Sequence, residues 1–250
     1  MVSGLLRRCG IGYSGTVKTI GILGGMSWES TVPYYATINR AVRERLAGHH
    51  SAKILLYSVD FAEVEAMQHE DDWAGARDLM VEGAKRLERG GADFLILATN
   101  TMHRVYPGLA ERTRLPILHI ADCTADAIQA SGLKTVGLLG TLSTMEQDFY
   151  RERLRSRRKI ETVTPELEDR EAIHRIIFEE LVHGRLLDAS RDRLHETIER
   201  LQDAGAQGVI LGCTELPLLA DPRRSPVQLF DTGVLHARKA AAVALGDEYL

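Results

Sequence analysis

Arg86-Leu87-Glu88-Arg89-Gly90-Gly91-Ala92-Asp93-Phe94-Leu95-Ile96-Leu97-Ala98-Thr99-Asn100-Thr101 lies without a gap over Arg200-Leu201-Gln202-Asp203-Ala204-Gly205-Ala206-Gln207-Gly208-Val209-Ile210-Leu211-Gly212-Cys213-Thr214-Glu215, at a constant offset of 114 (200 − 86). A second pair, Lys18-Thr19-Ile20-Gly21-Ile22-Leu23-Gly24-Gly25 and Lys134-Thr135-Val136-Gly137-Leu138-Leu139-Gly140-Thr141, matches at an offset of 116 (134 − 18). Two matches in the same order and at nearly the same spacing point to an internal duplication. The alternative is a set of generic segments, each an apolar strand followed by glycine. It does not explain why the residues ahead of the strands match as well. Thr99 falls on Cys213. A repeat with a hydroxyl in one half and a thiol in the other suggests a two-sided site with unequal sides.

Working outward, apolar runs of strand length alternate with helical patterns. Strands are expected at Thr19–Leu23, Lys53–Val59, Phe94–Leu97, Ile117–His119, Thr135–Leu139, Ile160–Val163, Gly208–Leu211 and Val227–Phe230. Unbroken runs such as Phe94-Leu95-Ile96-Leu97 fit parallel strands buried on both faces. Trp73–Arg89 sets Ala76, Leu79, Met80, Gly83, Ala84 and Leu87 along one helical stripe. Leu187–Ala204 does so with Leu194, Ile198 and Leu201, and Thr232–Leu245 reads as a last helix. The βαβα order predicts an α/β fold of two pseudo-symmetric, doubly wound, Rossmann-like domains with parallel sheets. The division runs 17–121 plus 230–250 for the first domain and 122–229 for the second. Sites in open α/β sheets lie beyond the carboxyl ends of the strands, so the active site is expected in the cleft between the domains.

At 250 residues the chain holds one large domain or two small ones. Its 44% hydrophobic and 26% charged residues are ordinary for a globular protein. A net charge of −4 gives no bulk electrostatic case for nucleic acid. The basic run Arg151, Arg153, Arg155, Arg157, Arg158 and Lys159 is followed by acidic residues and reads as a solvated helix face. Three cysteines, Cys9, Cys123 and Cys213, have no CxxC spacing and an odd count. They fit reduced thiols in a cytoplasmic protein rather than a disulfide framework or a metal site. No apolar run reaches the ~20 residues of a membrane span. Gly10-Ile11-Gly12-Tyr13-Ser14-Gly15 satisfies the GxGxxG string but precedes the first strand, so it lacks the context of a dinucleotide site. Residues 1–16 read as a flexible extension.

The polar residues at the strand ends carry the candidate chemistry. Gly24-Gly25-Met26-Ser27 ends a strand and opens toward a helix, where backbone N–H groups suit a carboxylate or phosphate; a bare tight turn is the alternative. Asn100, Thr101 and Thr214, and likewise Thr141 and Thr144, suit either a helix cap or a ligand contact. Cys213 sits past a buried strand and ahead of a helix start, where N–H groups and the helix dipole favour its thiolate. A packed apolar thiol is the competing reading. His103 could tune a thiolate or an amine, or serve only in packing. Arg170 and His174 share a helix face at i,i+4 that offers positive charge or merely meets solvent.

Lys18–Ser27, Thr99-Asn100-Thr101-Met102-His103 and Gly212-Cys213-Thr214-Glu215 together resemble the aspartate/glutamate/hydantoin racemase superfamily, in its aspartate racemase branch, over about residues 17–248. The resemblance implies two pseudo-symmetric α/β domains, usually a homodimer, and an amino acid as substrate without cofactor or metal. Two cysteines flank the α-carbon, one removing the α-proton and the other returning a proton to the opposite face. Cys213 and Thr99 would be the catalytic pair. Gly25, Met26, Ser27, Asn100, Thr101, Thr141, Thr144, Thr214 and Glu215 would surround the substrate, with His103 and Arg170 as auxiliaries. Thr99 departs from the family's first cysteine, and a Thr-Asn-Thr subgroup shares that departure. Members selective for aspartate carry cations near the positions of Glu63 and Glu171, where this chain has acids. The expected activity is cofactor-independent racemisation of aspartate or glutamate. The alternatives are a single-cysteine decarboxylase or cis–trans isomerase of the same superfamily, or a non-catalytic small-molecule-binding protein.

Overall fold

The computed structural model describes residues 16–250. The glycine string at 10–15 and the extension expected over 1–16 lie outside the described residues, apart from Thr16. Among the described residues eight strands form two four-stranded sheets in which every pairing is parallel. The first sheet holds β1 (Thr19–Gly24), β2 (Lys53–Ser58), β3 (Phe94–Leu97) and β4 (Ile117–Leu118) in the order β2-β1-β3-β4. The second holds β5 (Thr135–Leu139), β6 (Glu161–Val163), β7 (Gly208–Leu211) and β8 (Gln228–Asp231) in the order β6-β5-β7-β8.

The duplication extends to register. Gly21 faces Leu95 across β1 and β3, and Gly137 faces Val209 across β5 and β7. The two sequence offsets carry one pair onto the other (21 + 116 = 137; 95 + 114 = 209).

The central strands are apolar throughout because helices cover both of their faces. In the first half Ile20, Ile22, Phe94 and Ile96 meet Tyr34, Ile38 and Val42 of the helix Trp28–Leu46 and the alanines of Thr232–Leu245. Leu23, Leu95 and Leu97 point the other way, onto Met80, Ala84 and Leu87 of Trp73–Arg89. The second half repeats this. Val136, Leu138 and Ile210 pack on Ile128, Tyr150 and Leu154, while Leu139, Val209 and Leu211 pack on Ile173, Leu194, Ile198 and Leu201. Burying each such aliphatic side chain contributes about 1.5–3 kcal/mol.

Residues 230 and 231 belong to β8 of the second sheet, so the chain returns to the first half with the helix Thr232–Leu245. Asp231 caps that helix by accepting from the Val234 N–H. The basic run lies on the helix Asp148–Arg158, where Arg151, Arg153, Arg155 and Arg158 pair with Asp148, Asp122, Glu152 and Asp126. Among the described residues no helix is long and apolar enough to cross a membrane.

Candidate active site

Four strand ends, those of β1, β3, β5 and β7, converge where the two halves meet. After β1 the chain turns at Gly25, whose φ is +91°. A Cβ there would lie 2.3 Å from the Val59 carbonyl oxygen, so only glycine fits. The Gly25 N–H donates to Thr31 Oγ1 (2.9 Å), and Thr31 in turn donates to the Ser27 carbonyl (2.9 Å). This chain fixes Ser27 at the helix start with its hydroxyl pointing across to the second half.

After β7, Cys213 and Glu215 are buried, at 8% and 3% exposure. Cys213 Sγ donates to Glu215 Oε2 (3.0 Å), and Thr214 Oγ1 donates to the same oxygen (3.0 Å). Ser27 Oγ donates to Glu215 Oε1 at 2.7 Å, joining the halves. Burial first, then the Glu215 carboxylate, hold the Cys213 thiol well above its ordinary range, although the Glu215 and Leu216 N–H groups act the other way. This corrects the expectation of a thiolate stabilised at a helix start. The following helix, Leu216–Leu219, is a single turn, and its N–H groups are outweighed by dehydration and a neighbouring negative charge.

After β3, Thr99 is 7% exposed and Asn100 is 3% exposed. Asn100 Nδ2 donates to Thr232 Oγ1 (2.9 Å), and Thr232 donates to the Leu211 carbonyl (2.9 Å). Asn100 Oδ1 is buried without a partner. Thr101 Oγ1 meets Thr141 Oγ1 at 3.1 Å and Thr144 Oγ1 at 3.4 Å, a second join between the halves. Thr141 also caps the helix Leu142–Glu146.

Thr99, Asn100, Thr101, Thr141, Cys213, Thr214, Glu215, Met26 and Ser27 all line one inner cavity of about 30 Å³. Other sequence candidates stand back from it. Gly25 shapes the turn, and Thr144 supports Thr101 and Thr141 from behind. His103 is fully enclosed. Its Nδ1–H donates to the Thr99 carbonyl (2.8 Å) and its Nε2 accepts from the Ile120 N–H (3.2 Å). Burial, then His236, push its pKa down to about 3. It therefore holds the Thr99 backbone as a neutral ring, with no proton to relay. Arg170 is committed to Glu146 and the Pro165 carbonyl and does not line the cavity.

Sequence reading missed Phe61 and Gln68 of the helix Phe61–His69, and Ile177, Phe178 and Val182 near the π turn Ile176–Glu180. These residues follow β2 and β6, equivalent strands of the repeat. Extending the duplication to those segments was the signal available. Beyond Gln68, Thr101, Thr141 and Phe178 opens an outer cavity of about 500 Å³, which these four residues also line. No Lys, Arg or His is among the described residues lining the inner cavity. Arg104, stacked on Trp73 at 3.8 Å, and His174 line the outer one together with Glu65 and Glu146.

The profile of the Asp/Glu/Hydantoin racemase family matches residues 23–240. A candidate Asp/Glu racemase from Yersinia pestis is 49% identical, with a TM-score of 0.85 over 91% of this chain and 99% of that one. An aspartate racemase homologue from Pyrococcus horikoshii OT3 is 36% identical, with a TM-score of 0.79 over 91% and 99% of the two chains. A broad-specificity amino-acid racemase from Bacillus subtilis strain 168 is 24% identical over 233 residues, 90% of this chain and 98% of that protein.

Proposed function

Because the chain belongs to the Asp/Glu/hydantoin racemase family, we propose that it is a cofactor-independent amino-acid racemase acting on aspartate or glutamate. The observation that carries this reading is the convergence of Cys213 and Thr99, repeat-related residues at equivalent strand ends, on one inner cavity. In this reading the inner cavity, at ~30 Å³ smaller than an amino acid, opens toward the outer one to admit the substrate, and the α-carbon lies between the sulfur and the hydroxyl. The duplicated fold thus supplies the two sides that inversion requires.

The polar groups around the cavity suit an amino acid. Asn100 Oδ1, buried and without a partner, accepts a hydrogen bond from the α-ammonium group. The hydroxyls of Thr101, Thr141 and Thr214 offer donors to the α-carboxylate, and Met26 closes the wall. Cys213 first loses its proton to solvent, removes the α-proton as a thiolate to leave an enediolate, and is a thiol again, while the Thr99 hydroxyl protonates the opposite face. Thr99 regains its proton from water. The side chain extends toward Phe61, Gln68 and Phe178, with Arg104, paired to Asp71 at 3.6 Å, beyond them as the cation for a distal carboxylate.

The test is incubation of single enantiomers of the standard amino acids in D₂O, following α-proton exchange by NMR and chiral composition by chromatography. Exchange with inversion on aspartate or glutamate is expected. The absence of exchange on every amino acid would refute the racemase reading. One observation favours a second reading: Cys213 is the only cysteine among the described residues of the inner cavity. Single-thiol chemistry would turn over a malonate- or maleate-type acid without inverting any amino acid.

A further inference from the structure

The outer cavity, about 500 Å³, offers far more room than one distal carboxylate needs, and its charged lining is of both signs. We infer that it receives the far end of a longer substrate, an amino acid whose side chain ends in a second ammonium-and-carboxylate head. The inference rests on the racemase reading and narrows the substrate class of that same site.

The partners of the lining residues separate structural charges from open ones. Glu146 is taken by Arg170 at 3.1 Å, and Asp71 accepts from the Trp73 indole N–H. Four charged groups stay open. Among the described residues Glu65 and Glu179 pair with no cation, and Arg175 pairs with no acid. Arg104 lies over the Trp73 ring at 3.8 Å and 3.6 Å from Asp71, beyond hydrogen-bond reach, so its guanidinium is held in place with its N–H groups available. His174 adds a neutral donor, because its Nδ1 accepts from the Leu142 N–H (3.4 Å) and burial lowers its pKa. Two cations and two anions are therefore on offer. A lone carboxylate meets Arg104 and Arg175 but also faces two glutamates, and a lone ammonium group meets the reverse conflict. A head that carries both charges satisfies both pairs.

Length agrees with this reading. Thr101 borders both cavities, and Arg104 follows it by one turn of the 3₁₀ helix Thr101–Val105. Residues three apart on such a helix share a face at ~2.0 Å rise per residue, so Arg104 starts ~6 Å further out than Thr101. At ~1.2 Å per bond in an extended chain, the carboxylate carbons of glutamate are ~5 Å apart and those of diaminopimelate ~7 Å. The longer acid reaches from the Thr101 hydroxyl to the pinned Arg104, its methylene chain passing the neck between Gln68 and Phe178. Its distal ammonium group then lies between Glu65 and Glu179. Inversion needs only the proton transfers at Cys213 and Thr99, and it converts the LL compound to the meso form. Aspartate and glutamate remain substrates without the contacts of the second head.

The test measures kcat/KM by α-proton exchange in D₂O for LL-diaminopimelate and for aminopimelate, which has the same length and lacks only the distal ammonium group. LL-diaminosuberate and aminosuberate, one methylene longer, form a second pair. In the wild-type protein at least one diamino acid should exceed its control by more than about fivefold. In the Glu65→Gln, Glu179→Gln double variant that ratio should fall below about fivefold. A smaller wild-type ratio for both pairs overturns the inference without recourse to any variant, and a ratio that survives in the double variant overturns it as well. Isothermal titration calorimetry with the same four compounds needs no turnover. Tighter binding of a diamino acid with no exchange on any amino acid refutes the racemase reading alone. Exchange on aspartate or glutamate with no preference for either diamino acid refutes the second-head site alone.

Discussion

Lowering the pH from 7.5 to 4.5 should remove at least ~5 kcal/mol of this fold's stability, through the histidines beneath the Thr99 wall. His103 ties the Thr99 carbonyl to the Ile120 N–H, and His236 accepts from Tyr34 and donates to the Leu118 carbonyl. His103 and His119 rings stack at 4.3 Å. Burial first of all pushes the pKa of His103 to about 3 and that of His236 to about 4, from 6.5, and burial holds His119 low as well. These bases stay neutral when folded and take up protons when unfolded. Their contribution is therefore complete above pH 6.5 and is lost as pH falls toward 4. Two pH units below 6.5, each of the first two histidines costs ~2.7 kcal/mol, or ~5 kcal/mol together, against a typical domain stability of ~5–15 kcal/mol. Urea unfolding followed by circular dichroism at pH 7.5, 6.5, 5.5 and 4.5 measures this. The slope below pH 6 should approach ~4 kcal/mol per unit, the uptake of three protons by His103, His119 and His236. His236→Gln should lower it by about a third. Stability constant to within ~1 kcal/mol between pH 6.5 and 4.5 would show that these rings are hydrated or protonated in the folded protein.

Three further outcomes are expected. Cys213→Ser should lower kcat by ~10²–10⁴-fold with KM little changed, because it replaces the general base and leaves the walls of the cavity intact; steady-state kinetics on the best substrate decides. Thr99→Cys places a second ionisable sulfur on the opposite wall and should raise α-proton exchange of the enantiomer facing that wall by at least about tenfold in D₂O; no gain would mean that Thr99 does not face the α-carbon. Gly25→Ala forces a Cβ to 2.3 Å from Val59 O at a φ of +91° and should lower stability by ~2 kcal/mol or more, read as a drop in urea midpoint at pH 7.5.

Much of the architecture was legible because the central strands are buried on both faces. Phe94–Leu97 and Gly208–Leu211 read as strands with the bounds they have, since a short apolar run with glycines ahead of it has few other ways to fold. The helix Trp73–Arg89 was equally plain, its apolar stripe interrupted only where Leu79 is half-buried. β8 was less so: Asp231 ends the strand and caps the next helix, and one acidic residue in two roles has no pattern to read.

What the sequence determined by itself was the duplication, the paired strand ends and the alignment of Thr99 with Cys213. All of these follow from local pattern and from likeness between segments of one chain. Only the tertiary structure decided the protonation states. Cys213 is a hydrogen-bonded thiol because Glu215 and the surrounding burial lie against it, and His103 is a neutral strut because both its nitrogens are engaged. Tertiary structure also brought Ser27, 188 residues away, onto Glu215 and drew Gln68 and Phe178 to the neck between the cavities. The physical reason is that a side chain's charge depends on its dielectric surroundings and its nearest donors, and those are set by residues far along the chain.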